Sequence, residues 1–295
     1  MKNHEFSNYI SNLFIKSMLY EVSTTPKPGL VDRANSGAHK DMDFFTFIDS
    51  SVIFYDYFYK CVETGLEFQE DDYTKLLIYI RPIGIEAEAD MFNATNNINT
   101  HKGLVFSFGI MAAAIGSLYR EKGSLYFNSM EISNRVKLIS KGISLELTDP
   151  NLNKNITYGE KLYNKYKTTC IRGEVESGFE TAIKYSLPVL EKLIEEKKYH
   201  INDICIQVLL HLIVHTVDCN ILGRHNKKTL KYAQSYAKKI LSQGGYLSVI
   251  GKRDIIDMDR DFIEQNISSG GAADLLAITL MLYFLENGDK EVNKL

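Results

Sequence analysis

From Gly103 to Tyr119, between Lys102 and Arg120, the chain carries no charged side chain, and this run constrains the fold more than any other stretch. It falls short of the ~20 apolar residues a bilayer span needs, and it includes Ser107, Gly109, Gly116 and Ser117. A helix that is apolar on every side has to be enclosed by other elements, so the run predicts a buried central helix over about 101–120. The flanking sequence supplies the enclosure. Phe6, Ile10, Leu13, Phe14, Met18 and Val22 recur at three- and four-residue spacing, and Phe44, Phe47, Ile48, Ser51, Val52, Tyr55 and Phe58 repeat the pattern. Pro82 and Gly84 are expected to divide the next run into helices over about 72–80 and 84–97. Further helical patterns cover about 129–147, 157–168, 177–197, 201–218, 226–243 and 271–286. Alternating strand patterns joined by Asn-Gly or Asp-Gly turns are absent. The expectation is an all-α fold, one globular domain of roughly ten helices over 1–295 with its active site built from loops and helix termini.

With 295 residues and 45% hydrophobic content, the chain can bury a substantial core. A net charge of -3 argues against nucleic acid as a partner, so any anion binding has to come from local clusters. No membrane segment or apolar signal core is evident, and Cys61, Cys170, Cys205 and Cys219 form no CxxC pair. They read as reduced thiols of a cytoplasmic protein, mostly filling the core.

Charged chemistry concentrates in the segment between the first two helical patterns. Pro26 and Pro28 bracket Lys27 and bias it toward extended backbone, while Gly29 and Gly37 allow turns. Lys27, Asp32, Arg33, Asn35, His39, Asp41 and Asp43 crowd this irregular stretch, and Asp41 or Asp43 is available to cap the helix that follows. The cations suit a polyphosphate; the carboxylates suit a metal ion or a general base.

Four other segments carry candidate groups. In a helix from Gly84, Glu88, Met91 and Thr95 share a face, and Asn99-Thr-His-Lys-Gly103 then opens the central helix, with Asn99 or Thr100 as its cap. Free N–H groups, Lys102 and a glycine there would make an anion site; the plainer alternative is a capped helix with a solvated lysine. Gly173 and Gly178 around Arg172 and Glu174 suggest a close backbone approach to a ligand; the plainer alternative is a surface turn with an exposed ion pair. His211 and His215 are four apart, as helical metal ligands can be, but no third ligand follows, so hydrogen-bonded histidines fit better. Asp218, Asn220 and Arg224 are expected to leave that helix together, with Asp218 opposing the macrodipole and hinting at a compensating ligand or metal. Finally, Ser268 or Ser269 can cap the last helix, where Gly270 and Gly271 remove steric bulk and Asp274 sits in the first turn.

Together these blocks resemble the triphosphoribosyl-dephospho-CoA synthase family, known as CitG or MdcB. The resemblance rests on Pro26-Lys-Pro-Gly-Leu-Val-Asp-Arg33, Gly37-Ala-His39, Asp41-Met42, Ala87-Glu88 with Met91, Asn99-Thr-His-Lys-Gly103, Arg172-Gly-Glu174, Gly178-Phe179 and Gly270-Gly271 with Ala273-Asp-Leu-Leu-Ala277. These blocks occur in the family's order across nearly the whole chain. The chain departs from the family where it reads Asp218-Cys219-Asn220 instead of Asp-Thr-Asn, and at His225-Asn226, where two glycines usually follow the arginine. It departs again at Ser268-Ser269, where a serine-proline precedes the glycine pair.

The resemblance implies an all-α transferase that moves the 5-triphosphoribosyl group of ATP to the ribose 2′-hydroxyl of 3′-dephospho-CoA and releases adenine. The product is the precursor of the prosthetic group of citrate lyase or malonate decarboxylase acyl carrier protein, passed on to a transferase that modifies that carrier. For such a reaction Lys27, Arg33, His39, Asn99, His101, Lys102, Arg172, Glu174, Asn220, Arg224, Gly270 and Gly271 are the expected substrate-binding positions. Asp32 or Asp41 is the expected general base, and Glu88 and Asp218 the expected ligands of a Mg²⁺ that arrives with ATP. The residues alone do not separate metal ligands from base among Asp32, Asp41, Glu88, Asp218 and Asp274. A glycosidic-bond hydrolase acting on nucleotides or ADP-ribose, and a non-catalytic nucleotide-binding module, are the alternatives.

Overall fold

A computed structural model describes residues 2–148 and 156–288. Its helices are α1 (Asn3–Ser23), α2 (Phe44–Ile53), α3 (Tyr55–Glu67), α4 (Leu76–Ala94), α5 (Lys102–Lys122), α6 (Ser129–Ser140), α7 (Tyr158–Tyr166), α8 (Cys170–Glu176), α9 (Leu187–Glu196), α10 (Ile201–His215), α11 (Cys219–Arg224), α12 (Lys227–Ser242), α13 (Val249–Glu264) and α14 (Gly270–Asn287). Short 3₁₀ turns and one π turn at Ala182–Ser186 join some of them, and the described residues contain no strand. The fold is all-α, as expected.

The uncharged run is α5, buried along almost its whole length from Leu104 to Tyr119. By length and composition it could cross a membrane, yet it is mostly buried inside the protein, as the core helix of a soluble fold would be. The long helix α14 is equally enclosed, from Ala272 to Leu285. Helix α1 lies against α3 and α14, and α3 packs along α5 over the most extensive helix pair of the fold. That pair is close because two glycines permit it. A Cβ on Gly65 would sit 2.1 Å from the Ala113 carbonyl oxygen, and one on Gly116 would sit 2.1 Å from that of Val62. Any side chain at either position forces the helices apart and opens the surrounding core, at a cost of ~1–3 kcal/mol. Phe14, Phe58 and Phe108 meet across α1, α3 and α5 with ring centroids 4.7–5.7 Å apart. Each such ring buried from water contributes roughly 1.5–3 kcal/mol.

Several helix boundaries differ from the sequence-based expectation. Pro82 does not break its helix: α4 runs unbroken from Leu76 to Ala94. The proline is on the solvent side, as is Ile78, whose carbonyl loses its i+4 partner and can bond water instead. Leu76, Ile80, Ala87 and Met91, on the opposite side, hold α4 to the core. The pattern expected as one helix from Phe44 divides at the fully buried Phe54, and that expected over 129–147 ends at Ser140, before Gly142 turns at φ +83°. Helix α13 was not anticipated, although Ile255, Met258, Asp259 and Phe262 form its buried face at helical spacing.

The cysteine expectation holds for two residues only. Cys61 and Cys205 are free and buried, but Cys170 and Cys219 form a disulfide with Cα atoms 5.9 Å apart. They are separated by 49 positions, so spacing gives no sign of the pairing. It arises because the N-terminal ends of α8 and α11 border the same cavity.

Candidate active site

The charged segment between α1 and α2 is a rigid plug organised by Asp32. Its buried carboxylate accepts from the Thr25 hydroxyl (2.8 Å) and from the backbone N–H groups of Lys27 (2.9 Å), Ala34 (2.7 Å) and Asn35 (3.0 Å). Asn202 on α10 makes a reciprocal pair with the Thr25 backbone, at 2.9 and 2.8 Å. On α13, Asp259 accepts from the Gly29 N–H (2.9 Å) and from the Asn35 amide (3.2 Å). Gly29 has φ +67°, and a Cβ there would lie 2.1 Å from the Ile267 carbonyl oxygen, so only glycine fits. The Lys27 ammonium is buried in an ion pair with Glu21 of α1. Burial pushes the Glu21 carboxyl up, while Lys27 opposes that shift.

A second carboxylate organises the opposite wall. Asp218 does not hang off the end of α10, which stops at His215; it is the N-cap of α11. One oxygen accepts from Asn220 N (2.9 Å) and Ile221 N (3.2 Å), and the other accepts from Ala272 N (3.0 Å) in the first turn of α14. One side chain therefore caps two helices. The charge expected to oppose a macrodipole instead complements two N-terminal ends. Burial still pushes its pKa up to about 6 against those donors. Ser269 occupies the N-cap position of α14 without a side-chain capping bond. Gly270 and Gly271 make room for Asn220 and Asp218, whose atoms would lie 2.5 and 3.1 Å from an added Cβ.

Between these walls lies a cavity of about 1360 Å³, entered by both helix N-termini, α5 and α14. Leu77, Ile80, Ile85 and Leu147 give part of it an apolar lining; Arg81, Lys102, Arg172 and Arg224 bring positive charge. Each of these cations already holds a partner. Lys102 bonds Glu88 at 2.6 Å, Arg81 and Arg172 share Glu146, and Arg224 reaches the Ala38 carbonyl and His39 at 3.3 Å each. Glu174 is less available, because its carboxylate holds Thr181 through the backbone N–H (2.9 Å) and hydroxyl (2.8 Å). Burial nevertheless raises its pKa.

The histidines divide by their partners. Arginine can only donate, so His39 Nδ1 accepts from Arg224, and Nε2–H donates to the Ser268 hydroxyl at 3.1 Å. Burial and the Arg224 charge push the His39 pKa down to about 4, leaving the ring neutral; the Asp41 carboxylate stands 3.9 Å away. His101 is only 3% exposed and its Nδ1 meets the Ser50 hydroxyl at 2.7 Å. The Ser50 hydroxyl also accepts from Thr100 at 2.9 Å and reaches the Phe47 carbonyl at 3.3 Å, while His101 Nε2 is buried with no partner among the described residues. Burial, then the Lys27 charge, push its pKa down to about 3. His215 stacks flat on Tyr185 at 3.7 Å, and with His211 it forms no metal group among the described residues.

The structure thus brings together on the cavity wall Lys27, His39, Asp41, Glu88, Asn99, His101, Lys102, Arg172, Glu174, Asn220, Arg224, Gly270 and Gly271. It leaves Asp32, Arg33 and Asp218 off that wall. Asp32 has its oxygens occupied by four donors inside the plug, and Arg33 points outward to Asn202 at 3.3 Å. Glu88 and Asp218 do not fit a shared Mg²⁺ site, because Asp218 already accepts backbone N–H groups that a cation would repel. Among the described residues no group of three or more His, Cys, Asp or Glu is arranged around a metal. Asp259, Asn202 and Glu21 support the plug without having been anticipated; the buried face of α13 was the available signal for Asp259. The departures from the family pattern have local partners: His225 Nε2–H donates to the Asn266 carbonyl at 2.9 Å, and Asn226 caps α12.

The family model for CitG, ATP:dephospho-CoA triphosphoribosyl transferase, matches residues 7–293. A probable 2-(5''-triphosphoribosyl)-3'-dephosphocoenzyme-A synthase of Photobacterium profundum is 38% identical over 273 residues, covering 92% of this chain and 86% of the relative. The synthase of Escherichia fergusonii is 36% identical over 95% of this chain and 92% of its own length. A probable synthase of Streptococcus mutans is 36% identical over 97% and 99%. No solved structure shows significant similarity to the chain. The chain belongs to the CitG family of ATP:dephospho-CoA triphosphoribosyl transferases.

Proposed function

We propose that this chain carries the 5-triphosphoribosyl group of ATP to the ribose 2′-hydroxyl of 3′-dephospho-CoA inside the cavity between α5 and α14. The observation that carries the proposal is the cavity's size, about 1360 Å³ against the ~300–1,000 Å³ usual for a single small ligand. A direct transfer needs both substrates enclosed at once, so that the hydroxyl and not water meets the ribose carbon. Lys102, Arg172 and Arg224, with the unpartnered Nε2 of His101 and the Asn99 amide, are assigned to the phosphates. Their present carboxylate partners Glu88 and Glu146 keep the cations positioned until phosphate replaces them. The apolar wall of Leu77, Ile80 and Ile85 is assigned to the less charged parts of the coenzyme precursor.

Asp41 is assigned as the general base for the 2′-hydroxyl, because it lines the cavity and is 63% exposed there, whereas Asp32 is sealed in the plug. Mg²⁺, when bound with the triphosphate, would supply charge neutralisation; Glu88 is the one expected ligand whose carboxylate remains on the cavity wall. Reaction in the cytoplasm, where ATP is abundant, and hand-over of the product to an acyl-carrier-protein-modifying transferase complete the proposal. It is tested by mass analysis of reactions containing ATP and either 3′-dephospho-CoA or its 2′-deoxy analogue. Only the first should yield the triphosphoribosyl adduct; an adduct from the 2′-deoxy compound would move the acceptor elsewhere.

A further inference from the structure

Asp274 is the fifth residue of α14, just past its first turn, and lines the cavity. Its Oδ2 occupies space that only a glycine leaves free, since a Cβ on Gly103 of α5 would stand 2.5 Å from it. Among the described residues it has neither a hydrogen-bond donor nor a cation as partner. The groups acting on it are the carboxylates of Glu21, from α1, and Asp218, before α11. This differs sharply from Asp32 and Asp218, whose oxygens are filled by backbone donors. On the same wall, His101 Nε2 is buried without a partner, so a second polar group there awaits a ligand.

Departure of adenine from ATP leaves an electron pair on the base, and a proton delivered to a ring nitrogen makes it a better leaving group. We infer that Asp274 is the general acid that protonates the departing adenine at N7 or N3. The inference rests on the transferase function proposed above. In the step, the C1′–N9 bond breaks with its electron pair passing to adenine, and the Asp274 carboxyl proton moves to the ring nitrogen. The acceptor's 2′-oxygen bonds to C1′ and its proton moves to Asp41. Exchange with water then returns Asp41 to carboxylate and Asp274 to carboxylic acid, so the net transfer carries one proton from hydroxyl to adenine. Burial and the two neighbouring carboxylates hold Asp274 well above the ordinary carboxyl range, which keeps it protonated for this purpose.

The test compares wild type and Asp274→Asn on ATP, 7-deaza-ATP and 3-deaza-ATP, each with dephospho-CoA, following release of the free base. The amide keeps the shape of a neutral carboxyl but has no acidic proton to give. On ATP the variant should lose ~10²–10⁴-fold in turnover with ATP affinity retained. On the analogue lacking the accepting nitrogen, the two enzymes should react at the same reduced rate. Wild-type turnover by the variant on ATP, or an equal loss on ATP and both analogues, would overturn the role. Should the variant fail to fold, wild type alone decides: a large loss on one analogue supports the inference, and ATP-like rates on both reject it. No base release by wild type from ATP would instead count against the transferase proposal itself.

Discussion

The Asp218 carboxylate accepts the Ala272 N–H at 3.0 Å across 54 positions of sequence, tying the start of α14 to the start of α11. Those two helix ends form one side of the cavity, and Asp274 follows just past the first turn of α14. The group expected to bind a metal is thus the fastening that holds the wall together.

The first prediction concerns pH. Asp218 is pushed up to about 6 in the folded protein from an ordinary 3.8, so the folded state binds its proton more tightly than the unfolded state. Its contribution to stability is complete below about pH 4 and is lost as pH rises through about 6. The pH-dependent part is worth about 3 kcal/mol. Asp218→Asn removes that titration. Denaturant unfolding of both proteins between pH 4 and 7 should show wild type losing stability relative to the variant as pH rises.

Asp32 should behave as a structural residue. Asp32→Asn replaces one acceptor oxygen with a donor in a site filled by four donors, at a cost of roughly 1–3 kcal/mol. Thermal unfolding should show the loss directly. Asp41→Asn should leave the unfolding midpoint in place and lower turnover ~10²–10⁴-fold, as measured by initial rates at saturating ATP.

Breaking the buried pair should be costly from one side and mild from both. Lys27→Met strands the Glu21 carboxylate among buried groups and should destabilise by ~3–5 kcal/mol. Adding Glu21→Leu should recover most of that loss in equilibrium unfolding, because no charge then remains unpaired.

Lys102 offers the cleanest probe of phosphate binding, since its ammonium is half-exposed at the cavity and its one side-chain partner among the described residues is Glu88. Lys102→Ala should weaken ATP binding by roughly tenfold or more, the worth of one charge-assisted hydrogen bond. Calorimetric titration with ATP checks this, and unchanged affinity would remove Lys102 from the site.

The Cys170–Cys219 bond closes a long loop, and Cys219→Ser should lower stability by about 2–4 kcal/mol. Thiol counting under denaturing conditions should find two free thiols without reductant and four with it.

Much of this was readable from residues in one dimension. The charge-free run became α5, and the charged plug, the Asn99–Gly103 turn, Arg172 and Arg224 all reached one cavity. What the sequence could not supply was which oxygens would be occupied. Asp32, Asp41, Asp218 and Asp274 look alike as letters, yet only contacts from distant segments such as Ala272 or Gly103 separate a fastening from a free acid. The disulfide was hidden for the same reason, because its partners meet only through tertiary packing. Pro82 misled because a local helix breaker was outweighed by the packing of Ile80, Ala87 and Met91.

Direct transfer from ATP to dephospho-CoA within one cavity ties adenine release to the presence of the acceptor. Its most direct measurement is the time course of adenine release from ATP by the purified protein, with and without 3′-dephospho-CoA. Direct transfer predicts release that depends on dephospho-CoA and matches adduct formation one for one. Adenine released at the same rate in its absence would contradict it and identify a hydrolase.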